Sequence, residues 1–78
     1  MKTMTCMQLG GACDLEFHAE SFEEIALISQ QHGTDMFNKN DPAHLAAMQK
    51  MRQLMKTPDA MTQWFESKRQ QFAALPDS

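Results

Sequence analysis

Two cysteines and three histidines carry most of the coordinating chemistry in this 78-residue sequence. Thiolate and imidazole are good donors for zinc and for other borderline or soft metals. Six residues separate Cys6 from Cys13, a spacing looser than the C-x2-C of zinc knuckles. By itself it leaves three states open. The thiols could hold a metal, they could be inert and buried, or they could form a disulfide. Free cysteine behaves as a small hydrophobe and is among the most buried residue types. Facing positions on a hairpin also lie at a distance a disulfide can span. What the thiols do depends on the elements that position them.

Thr3-Met4-Thr5-Cys6 and Leu15-Glu16-Phe17-His18-Ala19 both alternate, and both read as short half-buried strands. Between them Gln8-Leu9-Gly10-Gly11-Ala12 carries the glycine pair of a turn, so the two form a β-hairpin. Side chains two apart share a face of a strand. Met4 and Cys6 then share one face, and Cys13, Leu15, Phe17 and Ala19 share another. Each thiol lies on its strand's apolar face and should point toward whatever covers the sheet.

Ser21-Phe22-Glu23-Glu24 is a capping box and should start a helix running to about Asn38. Phe22, Ile25, Ser29, His32 and Met36 make its inward stripe. Ten residues after Phe22, His32 has travelled back about 15 Å across the sheet, toward the thiols. Cys6, Cys13 and His32 are therefore the candidate metal ligands. His18 lies about 16 Å along an ideal strand from Cys13 and on the opposite face. His44 would need a specific fold-back. Asp14, Met36, water or a second chain could supply a fourth donor.

Asp41-Pro42 and Thr57-Pro58 repeat one helix-start signal. They predict a second helix through Leu45, Met48, Met51 and Met55, and a third through Met61, Trp64, Phe65, Phe72 and Leu75. The short link between them implies an antiparallel helical hairpin. Thioethers suit Cu(I), but methionine at helical spacing is better explained by packing. So small a chain should bury Met48, Met51, Met55, Trp64, Phe65 and Phe72, within itself or in a homodimer. The same hairpin could instead mediate a homodimer or bind a protein partner.

The net charge is −3, which argues against nucleic-acid binding. The first forty residues hold two lysines against six acids, and that half suits cations. No apolar run approaches the roughly 20 residues that span a bilayer, and no apolar signal core follows Lys2. The expected compartment is the cytoplasm, where thiols stay reduced. No phosphate-binding glycine loop or serine elbow is present, and Glu23 and Glu24 are better used at the helix start than as an acid-base pair. No enzyme activity is expected.

The ordered set Met4-Thr5-Cys6, Gly10-Gly11, Cys13-Asp14, a strand, the Ser21-Phe22-Glu23-Glu24 helix start and His32 resembles a family of short bacterial and archaeal proteins of unknown function, labelled predicted small metal-binding proteins. The resemblance covers about residues 1–38. It implies a β-β-α core in a prokaryotic protein, with Cys6, Cys13 and His32 as ligands. Members often carry a second histidine five residues after the first, where this sequence has Phe37.

The expected fold is α+β in a single domain of residues 1–78. A β-β-α core over 1–39 precedes a helical-hairpin extension over 40–78. The expected function is binding of zinc or a similar thiophilic divalent metal. The alternative is a non-catalytic interaction or oligomerisation module with inert buried cysteines.

Overall fold

The structure is a computed structural model that describes residues 1–77. Two strands, β1 (Lys2–Thr5) and β2 (Glu16–Ala19), form an antiparallel sheet, and three helices follow: α1 (Phe22–Asn38), α2 (Pro42–Leu54) and α3 (Pro58–Ala74). The fold is α+β, with strands N-terminal and helices after them. Met4 pairs with Phe17 and Lys2 with Ala19. Met4, Phe17 and Ala19 are buried, so one face of the sheet is the core face. On the other face the Thr3 hydroxyl lies 2.8 Å from His18 Nδ1, and His18 is exposed as its parity requires.

Helix starts follow their caps. Ser21 Oγ accepts from Glu24 N–H, Asp41 from His44 N–H, and Thr57 Oγ1 from Ala60 N–H. Gly33 does not interrupt α1, which ends at Asn38. Asn40 then adopts a left-handed φ of 56°, a conformation asparagine tolerates. Its N–H and that of Asp41 donate to the Phe37 and Met36 carbonyls. This tight turn folds α2 back onto α1.

The core joins Met4, Cys6, Leu9, Phe17, Ala19, Phe22 and Ile25 to one residue from far along the chain, Phe72. Phe72 meets Phe22 edge to face at 6.2 Å, and Lys2 Nζ donates to the Ala73 carbonyl at 2.8 Å. Arg69 stacks over Phe22 and pairs with Glu23. The C-terminal half of α3 is thus moored on α1 and β1. The molecule is flat, with extents of 33 × 28 × 15 Å.

Two burial expectations need correction. Leu15 is exposed, at 49%: it precedes the regular strand β2, which begins at Glu16, so although its carbonyl accepts from Cys6 N–H its side chain does not follow the strand's parity. In the helical extension only Phe72 of the expected core residues is buried. Met48, Met51, Met55 and Trp64 are half-buried, and Phe65 is exposed. The physical reason is that α2 and α3 each contact α1 more than they contact one another. An open cleft of about 940 Å³ lies along their apolar stripes.

Candidate metal centre

Cys6 follows β1 directly, and its N–H donates to the Leu15 carbonyl at 2.9 Å. Met7 N–H donates to the Cys13 carbonyl at the same distance, so hairpin pairing continues past the regular strands and holds the two cysteines together. The chain between them is a 3-10 turn, Met7–Leu9, rather than an open loop. Leu9 and Gly11 N–H groups both donate to the Cys6 carbonyl. Gly10 takes φ +92°, which glycine adopts without penalty. Gly11 is required for a different reason. A Cβ there would sit 2.1 Å from Cys6 Sγ, so the absent side chain is the space the thiol occupies.

Cys6, Cys13, His32 and His44 each offer a donor atom, and these four atoms lie within 4.8 Å of one another. Cys13 Sγ is 3.3 Å from His32 Nε2, and Cys6 Sγ is 3.6 Å from His44 Nε2. A tetrahedral zinc with its usual bond lengths separates sulfur from nitrogen by about 3.6 Å, nitrogen from nitrogen by about 3.3 Å and sulfur from sulfur by about 3.8 Å. The two sulfur–nitrogen contacts match such an S2N2 shell, and the cluster as a whole, within 4.8 Å, is up to about 1 Å wider than one. Both cysteines are free thiols. His32 stands on the sheet-facing side of α1, edge-on to Phe17 at 5.6 Å and to His44 at 5.2 Å.

The fourth donor is His44, which sequence reasoning set aside. Asp14 is exposed and outside the cluster, and Phe37 is 54% exposed. His44 is the third residue of α2, brought to the cluster by the turn at Asn40. Asp41 Oδ2 accepts from both the backbone N–H of His44 and its Nδ1, at 3.0 and 2.6 Å. One carboxylate therefore caps α2 and orients the ring so that Nε2 faces the sulfurs. Such outer-shell carboxylates fix tautomer and direction in histidine metal ligands. The signal was present in the cap itself, since a histidine three residues after Asp41 lies within reach of the capping carboxylate.

The electrostatics divide the donors. The hydrogen bond from Asp41 raises His44 above its ordinary value against the opposing effect of burial, and Cys13 adds to the rise. The same contact holds the Asp41 carboxyl below the usual carboxylate range. Burial pushes the Cys6 thiol up, with backbone groups at Cys13 and Ala12 opposing and the Cys13 sulfur reinforcing. Burial works against the thiolate at Cys13 too. There the Leu15 backbone, His44 and Cys6 together outweigh it, and the thiol lies below its ordinary value. His44 thus acts on the Cys13 thiol, while its Nε2 lies 3.6 Å from Cys6 Sγ. A cation at the centre would favour both thiolates and neutral imidazoles.

No family model, curated protein or solved structure matches the chain. The cluster of two thiols and two imidazoles is compatible with a metal site on its own geometry. No helix among the described residues is long and apolar enough to cross a membrane.

Proposed function

We propose that this chain is a small metal-binding protein that holds zinc, or a similar thiophilic divalent ion, through Cys6, Cys13, His32 and His44. The observation that carries the reading is the convergence of four soft or borderline donor atoms, all within 4.8 Å, from three separate segments of the chain. Buried inert thiols need no imidazole beside them. Here each sulfur has one at hydrogen-bond distance, and the second imidazole is buried and oriented by a carboxylate. In this reading the chain is not an enzyme, because four protein donors leave no open position for substrate. A site built on two free thiols suits the cytoplasm, where thiols stay reduced.

The test is a zinc titration of the reduced 78-residue chain beside Cys13→Ser, His32→Ala and His44→Ala. The wild type should bind one equivalent at submicromolar free zinc. Each variant should bind at least about tenfold more weakly, as loss of a ligand or its support does at other sites. Cobalt(II) should give the intense visible bands of tetrahedral coordination with sulfur charge transfer. Equal binding by all four proteins would place the site elsewhere. No binding at micromolar zinc would leave the thiols as core residues and favour an interaction module, for which the open apolar cleft is the supporting observation.

A further inference from the structure

The helical extension carries two apolar stripes that do not cover each other. Met48, Met51 and Met55 on α2 and Met61, Trp64 and Phe65 on α3 line one open cleft of about 940 Å³. Each set recurs at three- and four-residue steps, the spacing with which a helix presents anchors to a helix beside it. A shallower recess, sharing Met51 and Trp64 with the cleft, continues it past Leu54. Met61 and Phe65 are exposed although the chain is short of core, so these stripes are unpartnered rather than spare.

Charge identifies what would cover them. The cleft and its continuation are bordered by four cations, Lys50, Arg52, Lys68 and Arg69, and by one carboxylate, Glu23, which Arg69 already engages. Among the described residues, no carboxylate lies within ion-pair distance of Lys50, Arg52 or Lys68. This border is cationic in a chain of net charge −3. A second copy docking through the same face would bring cations against cations, because an isologous contact pairs a patch with itself. We propose that the cleft lined by α1, α2 and α3 is a docking groove for an acidic amphipathic helix of a partner protein. The helix would lay its apolar face between the two stripes and its carboxylates against Lys50, Arg52 and Lys68. Flexible methionine side chains suit such a groove, because they re-pack around an incoming apolar face.

Beside the two stripes the groove is lined by α1, from Phe22 to Gly33, and by Cys6, His32 and His44 of the metal cluster, so occupancy is read with the centre held in one zinc-supplemented state. Trp64 is the single tryptophan of the chain and lines the groove, so it reports occupancy directly. The probe is a synthetic peptide of about five helical turns, with leucine and phenylalanine at i, i+3, i+4 and i+7 and with glutamate and alanine elsewhere. The control replaces each glutamate by lysine. Both are titrated into zinc-supplemented protein at low salt, with Trp64 emission, peptide helicity and sedimentation as readouts. The acidic peptide should bind saturably at one per chain, gain helicity and shift Trp64 emission to the blue. The lysine peptide should bind at least about tenfold more weakly. Arg52→Glu, at an exposed position outside the metal cluster, should weaken the acidic peptide and strengthen the lysine one. Equal binding of both peptides would reduce the cleft to nonspecific apolar adhesion. No Trp64 response from either would overturn the proposal, as would a self-associated protein whose Trp64 is already covered by a second copy.

Discussion

If the four-donor cluster holds zinc, its removal should release α2 selectively. His44 is the only buried residue of α2 among the described residues, and α2 contributes nothing to the apolar core. Its other inward side chains, such as Met48 and Met51, are half-buried, and each adds about 1 kcal/mol at most. An isolated thirteen-residue helix is marginal in water. With zinc bound, an opening that detaches α2 must also break the His44 bond. Free zinc at about one hundred times Kd adds about 2.7 kcal/mol to such an opening if the opened state releases the ion, and about 1.3 kcal/mol if Cys6, Cys13 and His32 keep it tenfold more weakly, a protection gain of about tenfold to a hundredfold. Hydrogen exchange on reduced protein, with zinc and after chelation, reads this directly. Amides of residues 46–54 should lose about that factor on chelation, and His44→Ala should reproduce the loss with zinc present. Amides around Ile25, in the apolar core, should stay well protected without metal. Apo protein in which residues 46–54 exchange as slowly as the Ile25 turn would refute the reasoning, because α2 would then be held by something other than the site.

Gly11→Ala should abolish tight zinc binding while leaving the helices formed, since its Cβ would occupy the position of Cys6 Sγ; zinc titration with far-ultraviolet circular dichroism checks both halves. Zinc affinity should fall as pH falls, because thiols and imidazoles must lose protons to bind. Asp41 raises His44, so proton competition there begins above the ordinary histidine range. Asp41→Asn keeps a capping side chain but removes the carboxylate. It should weaken zinc by about tenfold to a hundredfold near neutral pH and move the His44 titration, followed by NMR on apo protein, downward. Without metal, the Asp41–His44 hydrogen bond gains an ion-pair contribution to stability only while Asp41 is ionised and His44 protonated. That contribution is lost as pH rises through the raised His44 value and as pH falls through the depressed Asp41 value. Phe72→Ala should destabilise the protein by about 3 kcal/mol or more in denaturant unfolding, and Phe65→Ala by under about 1 kcal/mol, because Phe72 is 6% and Phe65 39% exposed.

The element order was legible because each boundary carries its own chemistry: Ser21, Asp41 and Thr57 as caps, with Pro42 and Pro58 in the first turns. The approach of the two thiols was legible too, although the reason differs from strand parity. Cys13 lies outside β2, and it is held beside Cys6 by the Met7 N–H bond to its carbonyl. His32 could be placed because helix rise and strand rise set a meeting point along one continuous stretch of chain. His44 could not be placed that way. Its position depends on a left-handed residue at Asn40, and asparagine permits that conformation without requiring it. The burial of α2 and α3 was misjudged because helical periodicity gives the direction of an apolar stripe but not whether anything covers it. Two helices with equally good stripes can face each other, or, as here, both face a cleft.

That distinction bears on how the second half of the chain is held. Seven of the eight buried core residues lie between Met4 and Ile25, and Phe72 is the exception. Each helix of the extension has one buried side chain among the described residues: Phe72 for α3 and His44 for α2. The Phe72 mooring is apolar and is reinforced by Arg69 over Phe22, so it needs no ligand and should persist in any buffer that keeps the core folded. The His44 mooring is polar. Its Nε2 meets a thiol, a weak hydrogen-bonding partner, and it becomes strong only if a metal joins nitrogen to sulfur. Phe72 should therefore govern global stability with or without zinc, whereas His44 should govern the attachment of α2, and the width of the cleft that α2 borders, only where metal is present.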